Sequence, residues 1–270
     1  MAVSELAMSD LIALPTQQVR HCIRAGQWTR PTSGLAPGYT QANLAIVPRK
    51  LAYDFLLFCQ RNPKPCPLLE VLDVGDPEPR GLAPGADIRT DIPRYRVYRH
   101  GELIDEAPDI MSYWQDDLVS FLLGCSFTFE HPMMDASIGI RHLELGVNVP
   151  MFITNQQCKS AGVFQGPMVV SMRPISHAQV TRTIQITSRF PAVHGAPVHI
   201  GDPTVLGIGD LQQPDFGDAV PIATDETPVF WACGVTPQAV IMQVKPALAI
   251  THAPGYMFIT DQRDSELAVL

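Results

Sequence analysis

Along the chain, apolar residues fall into short runs cut by proline and glycine, with no low-complexity tract and no internal repeat. The run TQQVRHCIRAG has helical spacing and predicts a helix stopped by Gly26. NLAIVP predicts a short buried strand, RKLAYDFLLFCQRN a helix and PLLEVLDVGD a second strand. A strand–helix–strand crossover of this length predicts a parallel pair. YRVYRHGELID reads as a hairpin turning at His100-Gly101. Ser112 and Gln115 fit a capping box, which predicts a helix running to Leu123 with Gly124 as its stop. Thr128 is placed to cap the next helix, FEHPMMDASIGI.

VPMFIT and PMVVSM then predict strands, and SHAQVTRTIQITSRF a helix. Beyond Pro191, PVHIGD, VFWACG, LAITH and YMFITD predict strands, and Thr236-Pro237 supplies an N-cap and first-turn proline for PQAVIMQV. The fold class implied is α/β. Residues 1–111 and 193–270 form a layered main domain, and 112–192 an inserted, smaller α+β subdomain.

Composition narrows the function. A chain of 270 residues with 46% hydrophobic and 17% charged residues can bury a substantial core. A net charge of −8 argues against a nucleic-acid partner, which would need a basic face, but leaves room for a local patch that holds a small anion. No apolar run is long enough to span a bilayer, so no membrane partner is expected. The start, MAVSELAMSDLIALPTQQ, lacks the basic and apolar regions of a signal peptide. Six scattered cysteines without a C-x-x-C pair predict reduced thiols in a cytoplasmic protein.

Candidate chemistry gathers in a few stretches. If VFWACG–TPQAVIMQVK–LAITHAPG is a βαβ unit, Cys233 and His252 lie past the carboxyl ends of parallel strands, where ligands collect. The helix N-terminus at Thr236 would face the same edge and offer donors to an anion. HGAPVHIGDP adds His194, His199 and Asp202, with Asp210, Asp215 and Asp218 following. This density suits a metal or an acid/base group, yet the spacing matches no zinc signature and the Gly-Asp-Pro triplet also reads as a turn. Arg173, ending an apolar strand, could grip a carboxylate with two parallel hydrogen bonds, or could be a solvated ion pair.

In GCSFTFE, Cys125 and Ser126 occupy a turn. A thiol at a helix N-terminus has a lowered pKa and can act as a nucleophile, whereas Ser126, Thr128 and Glu130 also fit plain capping roles. The long connection RAGQWTRPTSGLAPGYTQANL offers Thr32, Ser33 and Asn43 as substrate contacts.

Seven blocks, TSGLAPGYTQANL, FCQRNPKPCPLLEV, FLLGCSFTFE, VVSMRP, HGAPVHIGDP, FWACGVTPQ and THAPGYMFITD, occur in order between Arg20 and Asp261. Together they resemble the bacterial putative hydro-lyase family, which is related to the D-glutamate cyclase domain of a mitochondrial protein. The resemblance implies an α/β fold with a smaller second domain and a carbon–oxygen lyase. Through the cyclase it also implies dehydration of D-glutamate to 5-oxo-D-proline.

Such a reaction needs a base, for which His252 or His199 is available, and an acid, from Asp202 or Glu130. It also needs oxyanion donors near Thr236 or Ser126, and a carboxylate anchor at Arg173. A covalent variant runs through Cys125 or Cys233. The partner expected is a small-molecule substrate, with a homo-oligomer left open. No cofactor is expected; the alternatives are a divalent-metal hydrolase or hydratase using His194, His199 and Asp202, and a binding protein for small acids.

Overall fold

The computed structural model describes residues 6–269. Residues 1–5, where the stretch without a signal peptide begins, lie outside the described residues. The elements in chain order are α1 (Met8–Ile12), α2 (Thr16–Arg24), β1 (Tyr39–Pro48), α3 (Arg49–Arg61), β2 (Leu68–Val71), β3 (Tyr95–Arg99), β4 (Glu102–Ala107), β5 (Leu118–Gly124) and α4 (Phe127–Asp135). They continue with α5 (Arg141–Leu145), β6 (Met151–Gln157), β7 (Pro167–Ser176), α6 (Val180–Thr187), β8 (His199–Ile200), β9 (Glu226–Ala232), α7 (Thr236–Val244), β10 (Ala249–His252) and β11 (Phe258–Arg263). Among the described residues no helix is long and apolar enough to cross a membrane.

Two antiparallel sheets organise this mixed α/β chain. The larger runs β2-β5-β1-β10-β3-β4, with β11 also pairing with β1; the smaller runs β6-β7-β9-β8. β1 is its spine, buried along nearly its whole length because it pairs with β5 on one side and with β10 and β11 on the other. Alternate residues serve opposite cores. Ala42, Leu44 and Ile46 pack under the loops that carry Leu72, Leu82, Ala83 and Ile88, whereas Ala45 and Val47 pack against Phe55 and Phe58 of α3 and Val240 and Ile241 of α7. Burial on both faces explains why these strands read as continuous apolar runs.

Most expected elements are present, including the hairpin, whose His100 and Gly101 both have positive φ as a tight two-residue turn requires. Other expectations fail. Every named strand pair is antiparallel. β1 and β2 do share a direction, but β5 lies between them and pairs with both. β9 and β10 belong to different sheets, so α7 joins the two sheets instead of crossing over one.

The expected Ser112–Leu123 helix is instead a short 3-10 turn at Met111–Tyr113 followed by β5. The run LVSFLL is buried on both sides at the sheet centre, a setting that apolar periodicity cannot tell from a buried helix. The sheets also cut across the 112–192 boundary. β5 belongs to the larger sheet, while β8 and β9 pair into the smaller one with β6 and β7.

Gly124 ends a strand, not a helix, at the place where the sheets meet. A Cβ there would lie 2.3 Å from the Ala192 carbonyl oxygen and 2.7 Å from a Val193 methyl. Gly124→Ala is therefore expected to destabilise the protein by about 1–3 kcal/mol through overpacking, read as a lower urea midpoint with an unchanged slope.

Candidate functional site

β5 delivers the chain through Cys125 and Ser126 into α4, which places Glu130 one turn into the helix on the face of Ser126. β7 presents Ser171 and Arg173 two residues apart, hence on one face of the smaller sheet. The two elements meet at a guanidinium–carboxylate pair that is 1% and 2% exposed. Arg173 Nε donates to Glu130 Oε1 at 2.9 Å, and Nη2 donates to the same oxygen. Nη2 also donates to Ser126 Oγ at 3.0 Å, and Nη1 to Ser171 Oγ at 3.1 Å. The rings of Phe129 and Trp231 lie 5.5 and 5.4 Å from the guanidinium carbon and add cation–π attraction.

Two further groups complete the centre. Ser33, from the segment before β1, donates its hydroxyl to Glu130 Oε2 at 3.2 Å. His142 of α5 brings Nε2 to 3.2 Å from Oε1, an ion-pair distance without the alignment of a hydrogen bond. Burial pushes the Glu130 carboxyl up, but the charge of Arg173 and its hydrogen bonds outweigh it and hold the group well below its usual range. Glu130 is therefore a fixed anion at neutral pH.

The thiols depart from expectation. Cys125 and Cys233 share an apolar cluster with Phe127, Val149, Val169 and Met257 beside this centre. Burial raises Cys125 well above its usual range, against a weak 3.5 Å contact from the Phe127 amide, and pushes Cys233 up to about 11. Desolvation overrides the helix N-terminus that would have lowered the Cys125 pKa. Both are neutral thiols. The capping roles also change: the Ser126 hydroxyl faces Arg173, and Thr128 lies inside α4 with no partner for its hydroxyl among the described residues.

Around the centre, other expected residues hold the backbone. Asn43 Nδ2 donates to the Gly124 carbonyl at 2.6 Å and packs where a Gly234 side chain would be. Thr32 accepts from the Met257 amide at 2.8 Å, which ties the Ser33 segment to the loop before β11. Thr236 does not cap α7; its hydroxyl accepts from the Val169 amide at 3.0 Å and donates to the Cys233 carbonyl at 2.8 Å, so it faces protein and not a ligand. His252 accepts at Nδ1 from the Leu44 amide at 3.0 Å, and burial depresses it to about 4. It locks β10 to β1.

His199 and Asp202 lie elsewhere. β8 is the edge of the smaller sheet, where His199 Nε2 meets the Asp202 carbonyl at 2.6 Å and the Asp202 carboxylate caps a turn through Thr204. Asp202 is thus the turn residue of the Gly-Asp-Pro triplet. His194 is buried, with Nδ1 against the Lys64 carbonyl at 2.8 Å. Among the described residues no three His, Cys, Asp or Glu side chains assemble as a metal-ligand group.

The main omission from the sequence reading is His142. It sits in a five-residue helix outside every recognisable block, and no spacing links it to Glu130. Ser171 could have been found from strand alternation, two residues before Arg173.

Glu130 lines an inner hollow of about 40 Å³, roofed by Gly34, Leu35, Ala36, Pro37 and Gly38. That holds water but not an amino acid. Residues 34–38 continue as a strap directly from Ser33, the residue bonded to Glu130.

A centre of buried charge ringed by hydroxyls thus lies between the two antiparallel sheets. A family model described as D-glutamate cyclase matches residues 119–261, which contain all of β5 but its first residue, with Glu130, His142, Arg173 and Cys233. Relatives named putative hydro-lyase extend the likeness to nearly the whole chain. The one from Bacillus pumilus is 64% identical over 253 residues, 94% of this chain and 96% of its own length. That of Stutzerimonas stutzeri is 63% identical over 252 residues, 93% and 95% of the two chains. That of Psychrobacter arcticus is 59% identical over 263 residues, 97% and 100% of the two chains. The chain belongs to the D-glutamate cyclase family, as its seven sequence blocks suggested. A crystal structure of a nitrogen repressor-like protein from Methanococcus jannaschii covers 90% of this chain and 97% of its own at 9% identity, but its TM-score of 0.38 is too low to carry an argument.

Two outcomes follow from the electrostatics. Arg173→Met strands a buried carboxylate and is expected to cost about 3–5 kcal/mol in urea denaturation, whereas Arg173→Met combined with Glu130→Leu costs less than either single change. His194 and His252, both depressed to about 4 from 6.5 by burial, bind protons when unfolded that they refuse when folded. Stability should therefore fall as pH drops from 6.5 towards 4. Asp264, which burial pushes up to about 7, acts in the opposite sense over this range. Comparing urea midpoints at pH 7 and pH 5, a His194→Gln/His252→Gln protein is expected to lose the decline.

Proposed function

We propose that this protein is a lyase that cyclises D-glutamate to 5-oxo-D-proline with loss of water. The reading is carried by the buried Glu130–Arg173 pair, both of whose residues fall in the segment matched by the D-glutamate cyclase family, with Glu130 also lining the inner hollow. The names of the hydro-lyase relatives add support for water loss.

The chemistry maps onto this centre as follows. Glu130, anionic at neutral pH, attracts the substrate ammonium at Oε2, where Ser33 is its only hydrogen-bond donor among the described residues. His142 accepts a proton from the ammonium, and the freed amine attacks the γ-carboxyl carbon. A second N–H proton and the one held by His142 then end on one carboxyl oxygen, which departs as water. Arg173 cannot act as a free carboxylate anchor, because Glu130 and two serines already occupy its donors. Its charge, with the hydroxyl protons of Ser126 and Ser171, instead stabilises the tetrahedral oxyanion. Holding the two ends of one molecule in a folded pose lowers the barrier further. Neutral, buried Cys125 and Cys233 speak against a covalent route, since the thiolate is the nucleophile.

The test is turnover. Purified protein given D-glutamate should release 5-oxo-D-proline, with L-glutamate reacting more slowly, as followed by chiral chromatography. Cys125→Ser and Cys233→Ser should retain turnover within a few-fold, and His142→Gln should lose at least about 100-fold. No product from either isomer, in either direction, would remove the cyclase reading.

A further inference from the structure

Beside the inner hollow a second pocket, of about 510 Å³, opens to solvent between α4, α6 and the segment after β11. The two cavities share Gly38, His131 and Asp264, so these residues form a neck between the surface and Glu130. The outer volume lies within the range of small-molecule sites, unlike the inner one.

Its charge is unusual for an acidic chain. Arg182 of α6, Arg189 beyond that helix and Arg263 at the end of β11 bring three guanidinium groups to its wall. Arg182 is exposed and has neither a hydrogen bond nor an ion pair among the described residues. Arg263 rests over the Tyr39 ring at 4.1 Å, without a carboxylate partner among the described residues. Arg189 donates Nε to the Val269 carbonyl at 3.3 Å and likewise has no carboxylate partner among the described residues. Guanidinium groups without anions are ready-made carboxylate donors.

The opposite sign sits at the neck. Asp264 is 6% exposed and accepts from the Thr40 hydroxyl at 3.2 Å. Burial pushes it up to about 7, so it can take up or release a proton near neutrality. Asp135, 3.9 Å from His131, supplies a second carboxylate on the α4 side.

We propose that this outer pocket is the docking site for an acidic amino acid, whose carboxylates engage Arg182 and Arg263 while its ammonium turns to Asp264 at the neck. From there the ligand reaches Glu130 once the strap of residues 33–38 lifts. The assignment deepens the cyclase reading by giving its substrate a place of entry, and it rests on that reading for the identity of the acid.

The experiment compares the wild-type protein with Arg182→Gln/Arg263→Gln, using D-glutamate as the probe in both turnover assays and calorimetric binding. Arg182→Gln alone serves should the double variant not fold. The expected result is a KM and a dissociation constant raised about tenfold, with the loss carried in KM and not in kcat, at an unchanged melting temperature. A wild type that turns over D-glutamate, with a variant KM raised less than fivefold, overturns the docking site and leaves the cyclase reading standing. A wild type that binds D-glutamate without turnover, with binding weakened at least fivefold in the variant, keeps the docking site and removes the cyclase. Absence of D-glutamate binding to the wild type overturns the docking site outright.

Discussion

The pair formed by Arg173 and Glu130 is the constraint around which the rest is arranged. Two charges removed from water cost several kcal/mol each unless attraction and hydrogen bonds offset the loss. Here the offset comes from four elements: Ser126 and Glu130 from the β5–α4 junction, Ser171 and Arg173 from β7, His142 from α5 and Ser33 from the chain before β1. The Phe129 and Trp231 rings exclude water and add attraction to the cation. Removing either Arg173 or Glu130 alone would leave the other charge buried without its counter-ion. The pair therefore specifies how the sheets meet as well as what lies between them.

That junction explains several features without obvious chemistry of their own. Gly124 and Gly234 lack side chains where the Ala192 carbonyl and Asn43 come close. Asn43 and Thr236 tie backbone across the same seam. Thr32 anchors the base of the strap whose next residue reaches Glu130. Polar residues that a functional reading would claim thus divide into those that touch the charged centre and those that hold its frame. The outer pocket adds a third group, arginines without a carboxylate partner among the described residues.

Within the site, legibility followed local chemistry. Ser33, Ser126, Glu130 and Arg173 stood out in the sequence because a hydroxyl or charge beside an apolar run is conspicuous, and they do converge. His142 did not stand out, since its relation to Glu130 exists only through the turn after α4. His199 and Asp202 misled for the converse reason: their density in the sequence reflects a turn that satisfies itself. For Cys125 the sequence showed the helix start but not its burial, and burial sets the sign of the shift.

By itself the sequence determined which segments are apolar enough to be strands or helices, where glycine and proline break them, and to which family the chain belongs. Those are properties of neighbours along the chain, or of blocks compared whole. Tertiary structure decided that β5 is a central strand and not a helix, that the sheets are antiparallel, and that β9 and β10 lie apart. It decided as well which polar groups share a low-dielectric interior. Strand partners and desolvation depend on residues far away in the chain, and apolar periodicity records only that a residue is buried, not what it is buried against.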